Sequence, residues 1–167
     1  MKALIERAVD LVGRATSWLA LAIVVLMAVN VTLRYTMSYG SVWAQELEWH
    51  LLVPLIMFGI PFALYKGDHV RVDVLFEKFS PRTQVLVDIV SQVLGLAIAG
   101  IFFWLCLGYV EQSYAIGETS SDPGGLAYRW ALKALMPAGF LLLALQTFAT
   151  LLGDIDKLRA LATEAGE

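Results

Sequence analysis

Hydrophobic residues are concentrated in four long runs, at about residues 18–35, 47–65, 85–110 and 131–152. Short polar segments separate these runs. At about 1.5 Å per residue, the run 47–65 is roughly 28 Å long as a helix, close to the thickness of a bilayer's hydrocarbon core. The pattern predicts an all-α membrane protein with four transmembrane helices, which form a single integral membrane domain over residues 1–167.

The segments outside these runs have their own patterns. Residues 1–17 are amphipathic, which fits either a helix on the membrane surface, our preferred interpretation, or an extension of the first span. Residues 66–84 are charged but keep apolar positions at helical spacing, and they predict a short interfacial helix between spans two and three. Ser80 and Pro81 are suited to begin the next helix as cap and first residue. Residues 111–130 are rich in Gly, Ser, Asp and Pro, which predicts a loop.

Composition agrees with a membrane location: 59% of the residues are hydrophobic and 16% are charged, against about 25% charged in typical soluble proteins. The basic residues indicate the orientation. Nine lysines and arginines lie in the N-terminal segment, the middle loop and the tail, whereas three lie on the other side. The positive-inside rule therefore predicts that both termini and the middle loop are cytoplasmic.

Polar residues near the ends of the first two spans are the candidates for function, because such residues are costly in a membrane. Glu46 and Glu48 lie at the outer end of the second span, close in depth to Arg34 on the first. We expect an Arg34–Glu46 or Arg34–Glu48 pair that stabilises the fold, with an ion or substrate site as the alternative. In the second span, Pro54 and Pro61 predict a kink or a locally unwound turn.

Nothing in the sequence indicates catalysis or a cofactor. The two histidines, His50 and His69, are expected about 28 Å apart on opposite membrane faces, which excludes haem held by both. There is no nucleotide-binding glycine loop, no cysteine–histidine metal cluster and no nucleophile elbow. We therefore expect no enzyme activity, no metal, no cofactor and no nucleic-acid partner. The mid-span positions are almost wholly apolar, which suits a chain that does not move a solute alone.

Three motifs resemble the small membrane subunit of tripartite ATP-independent periplasmic (TRAP) transporters. The first is Gly67-Asp68-His69-Val70-Arg71-Val72-Asp73 after the second span. The second is Trp43 and Glu46 before that span, and the third is Pro137-Ala138-Gly139 in the fourth. Length and four-span layout agree with the family, so the resemblance covers the whole chain.

The resemblance implies a multi-pass protein of the bacterial inner membrane that works as a scaffold. Its partners would be membrane lipid, a large multi-span permease subunit with the substrate and sodium sites, and a periplasmic binding protein that delivers an organic acid. Residues 120–126 resemble a subgroup linked with 2-oxo acids. His69, Arg71 and Asp73 are expected to act structurally at the cytoplasmic end of the second span.

Two other functions are compatible with the residues. An autonomous small transporter or channel would use Glu46, Glu48 and His50 and would move solute when purified alone. A membrane anchor for a redox complex would co-purify with a coloured cofactor.

Overall fold

The computed structural model describes residues 2–68 and 76–164, with the backbone alone at Glu164. Within these residues there are four helices, which are α1 (Lys2–Met37), α2 (Val42–Lys66), α3 (Pro81–Ala115) and α4 (Arg129–Glu164). Each is long and apolar enough to cross a membrane. The prediction of an all-α protein with four spans is confirmed.

Local sequence signals explain where α2 and α3 begin and end. The Ser41 hydroxyl accepts a hydrogen bond from the backbone N–H of Ala44 at 3.3 Å, which caps α2. Gly67 ends α2 in the left-handed conformation, with φ of 75°. The Ser80 hydroxyl accepts from the Thr83 N–H at 3.3 Å, and Pro81 is the first residue of α3. The predicted start of α3 is therefore confirmed.

The structure refines three expectations about the helices. Residues 2–17 continue into the first span without a break, so they form its extension rather than a separate helix; their contact with a membrane surface stays a prediction. α3 extends beyond the predicted 85–110 at both ends. α2 remains helical through Pro54 and Pro61, so no turn is unwound. Seven of the 19 residues of the predicted interfacial helix, 69–75, lie outside the described residues, so this helix stays a prediction; residue 66 belongs to α2 and residues 81–84 belong to α3.

The helices form an open layer in the order α1–α2–α4–α3. α4 packs extensively on α3, less on α2 and slightly on α1, whereas α3 has no comparable contact with α1 or α2 in the part of the chain described. Accordingly, 28% of the most apolar stretch of α4 is buried inside the chain, against 6–11% for the other helices. α4 is the central helix, and the other three expose broad apolar surfaces.

Two glycines allow the helices to approach closely. A Cβ atom at Gly139 of α4 would lie 2.7 Å from Met57 Cβ and 2.9 Å from the Met57 carbonyl oxygen on α2. A Cβ atom at Gly13 of α1 would overlap the ring of Phe62 on α2. Small residues at such contacts let membrane helices pack backbone against side chain. Gly139 and the buried Pro137 of the Pro-x-Gly motif thus lie at the packed side of α4.

At one end of the layer, a charged contact joins α1 to α2. The Lys66 ammonium lies 2.8 Å from one oxygen of Asp10, and the Arg14 guanidinium lies 2.7 Å from the other. We call this the Lys66 end. The opposite end, where α2 and α4 begin and α1 and α3 finish, is the Glu46 end.

Candidate functional site

Glu46 is the centre of the polar contacts at the Glu46 end. It lies in the second turn of α2, and its side chain is 2% exposed. One carboxylate oxygen, Oε2, accepts a hydrogen bond from the Leu126 N–H at 2.5 Å. The other, Oε1, accepts from the Ser120 hydroxyl and lies 3.3 Å from Nη2 of Arg129. These four residues, the Glu46 cluster, join the start of α2 to the α3–α4 loop and to the first residue of α4.

The loop over residues 116–128 folds so that it can make these contacts. The Ser120 N–H donates to the Leu126 carbonyl at 3.1 Å, and the Asp122 N–H donates to the Ser120 hydroxyl oxygen at 3.1 Å. A Cβ atom at Gly125 would lie 2.7 Å from Glu46 Oε2 and would also overlap Ser120. The glycine therefore gives the carboxylate room to reach the loop backbone.

A second carboxylate, that of Glu118, joins the same loop to α3 and to α4. It accepts a hydrogen bond from the Ser113 hydroxyl at 2.7 Å and forms an ion pair with Lys133 of α4. The Lys133 ammonium also lies 4.0 Å from the centre of the Tyr109 ring. The hydrogen bonds from Lys133 and Ser113 hold the pKa of Glu118 below its ordinary value, although partial burial opposes the shift. The α3–α4 loop is thus fixed by two carboxylates.

The prediction that Arg34 pairs with Glu46 or Glu48 is wrong. Glu48 accepts a hydrogen bond from the amide of Asn30 at 3.0 Å, and Glu46 pairs with Arg129. In the described residues Arg34 forms no ion pair with either carboxylate. Asn30 is buried, so its short side chain stays between α1 and α2 while its amide reaches Glu48. The expected link between α1 and α2 therefore exists, one helical turn before Arg34.

The other predicted site residues are spread over the chain. Trp43 is half exposed and lines an apolar cavity of about 270 Å³ between α1 and α2, together with Asn30. Pro137 and Gly139 are buried in α4, far along the helix from the Glu46 cluster. His69, Arg71 and Asp73 lie outside the described residues, so their structural role stays a prediction.

Sequence reasoning missed Arg129, Ser120 and Leu126 as partners of Glu46. The count of basic residues places Arg34, Arg129 and Lys133 on the same side of the membrane as Glu46. Arg129 was therefore one of three basic residues that could pair with Glu46. No spacing rule chooses among three basic residues on different helices. The Leu126 contact uses a backbone N–H, which has no side-chain signal in a sequence.

The middle of the layer carries polar but uncharged side chains. Gln92 of α3 and Gln146 and Thr147 of α4 are buried, so the interior is less apolar than expected. The Gln146 amide nitrogen lies 3.3 Å from the Thr150 hydroxyl. No Asp, Glu, Lys or Arg occurs at residues 51–65, 89–110 or 134–153. Within the described residues, no group of three or more His, Cys, Asp or Glu could hold a metal ion.

Comparison with known proteins matches the sequence of this chain to one family. Residues 23–157 match the model of the DctQ component of tripartite ATP-independent periplasmic transporters. A protein of Sinorhizobium fredii named "uncharacterized protein y4mM" is 30% identical over 145 residues, which are 81% of this chain and 25% of that protein. The isethionate TRAP transporter permease protein DctMQ of Oleidesulfovibrio alaskensis is 23% identical over 81% of this chain and 22% of its own length.

Shorter relatives align over more of their length. The C4-dicarboxylate TRAP transporter small permease protein DctQ of Pseudomonas aeruginosa is 26% identical over 79% of this chain and 65% of its own length. The chain thus spans about a quarter of the first two relatives and about two thirds of this one. The family model covers the four helices from the middle of α1 to the last turns of α4. The chain therefore belongs to the DctQ family of small membrane components of TRAP transporters.

Proposed function

We propose that this chain supports a larger multi-span permease during sodium-coupled uptake of an organic acid that a periplasmic binding protein delivers. The observation that carries the proposal is the family match over residues 23–157. The chain itself lacks charged residues in the middle of its spans, which is unlike a carrier with its own ion and substrate sites. We therefore assign the substrate and sodium sites to the larger partner, and no catalysis to this chain.

The open layer supports a role beside a large partner. In the described residues, α3 has an extensive contact with α4 and with no other helix. The face of α3 that points away from α4 is therefore free along the whole span. That face includes Leu94 and Trp104, whose side chains are 59% and 75% exposed. Lipid can cover such a surface, and so can the helices of another subunit. The relative named DctMQ, of which this chain matches 22%, is a permease with a much longer chain, which fits a large partner for this one.

The Glu46 end is the part that we assign to the binding protein. The excess of lysines and arginines near the Lys66 end indicates that the Glu46 end faces the periplasm. The loop at 116–128 is held there by Glu46 and Glu118 through Ser120, Leu126 and Lys133. A loop that is already ordered loses less conformational entropy when a partner docks on it. We propose that this loop contributes to the docking surface.

The organic acid is inferred from the names of the relatives. One is named for isethionate and another for C4-dicarboxylates, and both substrates are organic anions. The likeness of residues 120–126 to a subgroup linked with 2-oxo acids points to the same broad class. Sodium coupling and inner-membrane location with cytoplasmic termini come from the family resemblance and the charge distribution.

Reconstitution tests the proposal. The large permease proposed as the partner is purified with and without this chain and placed in proteoliposomes with the binding protein and a sodium gradient. We expect the two chains to co-purify and uptake to require both. Full uptake by the large permease alone would contradict the proposal, and solute movement by this chain alone would support the autonomous transporter instead.

A further inference from the structure

The outer face of the first five turns of α1 carries arginines and large apolar side chains in alternation. Five residues at steps of three or four form this face, which we call the α1 stripe: Leu4, Arg7, Leu11, Arg14 and Trp18. The three apolar side chains are 71–74% exposed, and the Arg14 side chain is 70% exposed. The buried residues of these turns, Val9, Gly13 and Thr16, lie on the opposite face. The stripe is therefore accessible from outside the layer of helices.

The contact between α1 and α2 sets the depth of the stripe. Residues 51–65 contain no Asp, Glu, Lys or Arg, so Lys66 marks the edge of the hydrocarbon core. Asp10 lies at the same depth, because its carboxylate is 2.8 Å from the Lys66 ammonium. Along the helix, Arg14 is about 6 Å deeper than Asp10 and Arg7 about 4.5 Å farther out. Arginine side chains extend toward water from such positions, so both guanidiniums reach the phosphate layer of one leaflet.

The positive charge at this depth exceeds the negative charge around it. The Asp10 carboxylate is shared between two cations, with Arg14 Nε 2.7 Å from one oxygen and Lys66 Nζ 2.8 Å from the other. Arg7 is exposed and forms no ion pair with a described residue. One anion therefore faces three cations, which favours an anionic ligand.

The nearby end of α4 is balanced instead. Its two acids pair with bases three residues farther along, Asp154 with Lys157 at 2.8 Å and Asp156 with Arg159 at 3.7 Å. The uncompensated positive charge at the Lys66 end, among the residues described for these two helices, is thus on the α1 side.

A lipid head group with net negative charge fits the stripe best. Phosphate is present at this depth in any phospholipid bilayer, and guanidinium groups bind it through several N–H donors. A zwitterionic head group carries its own cation and would leave the excess charge uncompensated. Leu11 and Trp18 lie deeper on the same face, where the acyl chains of such a lipid begin. A soluble anion would leave these two side chains uncovered.

We propose that the α1 stripe binds an anionic phospholipid of the leaflet that surrounds the Lys66 end. Its phosphate accepts hydrogen bonds from Arg7 and Arg14, and an acyl chain lies along Leu11 and Trp18. The proposal concerns this chain alone. It depends neither on the transport partners nor on which side of the membrane the Lys66 end faces.

Native mass spectrometry of the full chain in mild detergent, titrated with dioleoyl phosphatidylglycerol, tests the proposal. Arg7→Gln and Arg14→Gln should each weaken binding about fivefold, which corresponds to about 1 kcal/mol for an arginine near an anionic lipid surface. Arg7→Lys keeps the charge and should keep most of the binding. The matched control is Arg159→Gln, which removes one positive charge at the same end from a side chain that is 77% exposed but already paired. Its affinity should equal that of the wild type.

Three further ligands identify what the stripe recognises. Phosphatidylcholine with the same acyl chains should bind the wild type several-fold more weakly than phosphatidylglycerol. Inorganic phosphate and glycerol phosphate, at constant ionic strength, should not displace the lipid. Equal affinity for the two lipids, or displacement by either soluble anion, would overturn the proposal.

The variants supply two more contradicting results. A loss of affinity in Arg159→Gln as large as in the stripe variants would show a general effect of net charge. Unchanged phosphatidylglycerol binding in both Arg7→Gln and Arg14→Gln would also overturn the proposal. If these two variants then weakened co-purification with the larger permease, the occupant of the stripe would be an acidic protein segment instead of a lipid.

Discussion

The side chains of Glu46 and Arg129 meet across 83 residues of sequence, with Glu46 Oε1 3.3 Å from Arg129 Nη2. Glu46 lies in the second turn of α2 and Arg129 is the first residue of α4, so the pair fixes the start of one helix against the start of the other. The remaining carboxylate oxygen binds the loop backbone at Leu126. The contact therefore joins helix packing to loop conformation.

Glu46→Gln should loosen the loop at 116–128. The substitution removes the negative charge that accepts from Ser120, Leu126 and Arg129 together, and it leaves the guanidinium without its anion. We expect amide hydrogen exchange at Leu126 to become at least about tenfold faster, because local opening would cost less.

The control for this measurement is Glu111→Gln. Glu111 lies on the exposed side of α3 near the same end, and no contact of its carboxylate with the loop is described. Its substitution should leave exchange at Leu126 unchanged. Equal protection in Glu46→Gln and wild type would show that the carboxylate does not hold the loop.

Glu118 should make the stability of this end depend on pH. Its pKa in the folded chain is lower than its ordinary value of 4.5, mainly because Lys133 donates to the ionised carboxylate. The stabilisation is therefore complete above about pH 4.5 and is lost as the pH falls through the lower folded pKa. Melting curves from pH 7 to 3 should show a smaller acid-induced decrease for Glu118→Gln than for the wild type. An identical decrease in the two proteins would contradict this assignment.

Gly139→Ala should weaken the packing of α4 on α2. The added methyl group would lie 2.7 Å from Met57 Cβ, so one backbone must move. We expect a loss of about 1–3 kcal/mol in the free energy of unfolding, as for other overpacked interiors. Gly100→Ala on α3 is the matched control, because a Cβ atom there meets nothing within 4 Å. A stability loss no greater than that of the control would exclude a close contact at Gly139.

Asn30→Ala should be more destabilising than Arg34→Ala. Asn30 is buried and donates to Glu48, whereas no contact of Arg34 is described. Interhelical hydrogen bonds of this kind contribute about 1 kcal/mol in membranes, and substitution of Arg34 should fall within error of the wild type. A double-mutant cycle with Glu48→Gln measures the coupling. Coupling of Glu48 to Arg34 instead of Asn30 would restore the pairing that the sequence suggested.

The sequence was sufficient for the helices because their signals are local. The positions of the four spans and the Ser80–Pro81 start depend on neighbouring residues, and they agree with the structure, although α3 is longer than its predicted run. The partner of Glu46 depends on which helices touch. Arg34 lies on α1, which directly precedes α2 in the chain, but the guanidinium that reaches Glu46 is that of Arg129, the first residue of α4. Hydrophobic runs do not encode the order α1–α2–α4–α3, so the pairing could not be predicted.

Sodium-driven uptake in proteoliposomes tests the central claim most directly. The large permease and the binding protein are reconstituted with the wild-type chain, with Glu46→Gln or without the chain, at equal permease amounts. The account predicts full uptake with the wild type and negligible uptake without the chain. It predicts reduced uptake with Glu46→Gln, because the loosened loop docks the binding protein less well. Undiminished uptake without the chain would contradict it.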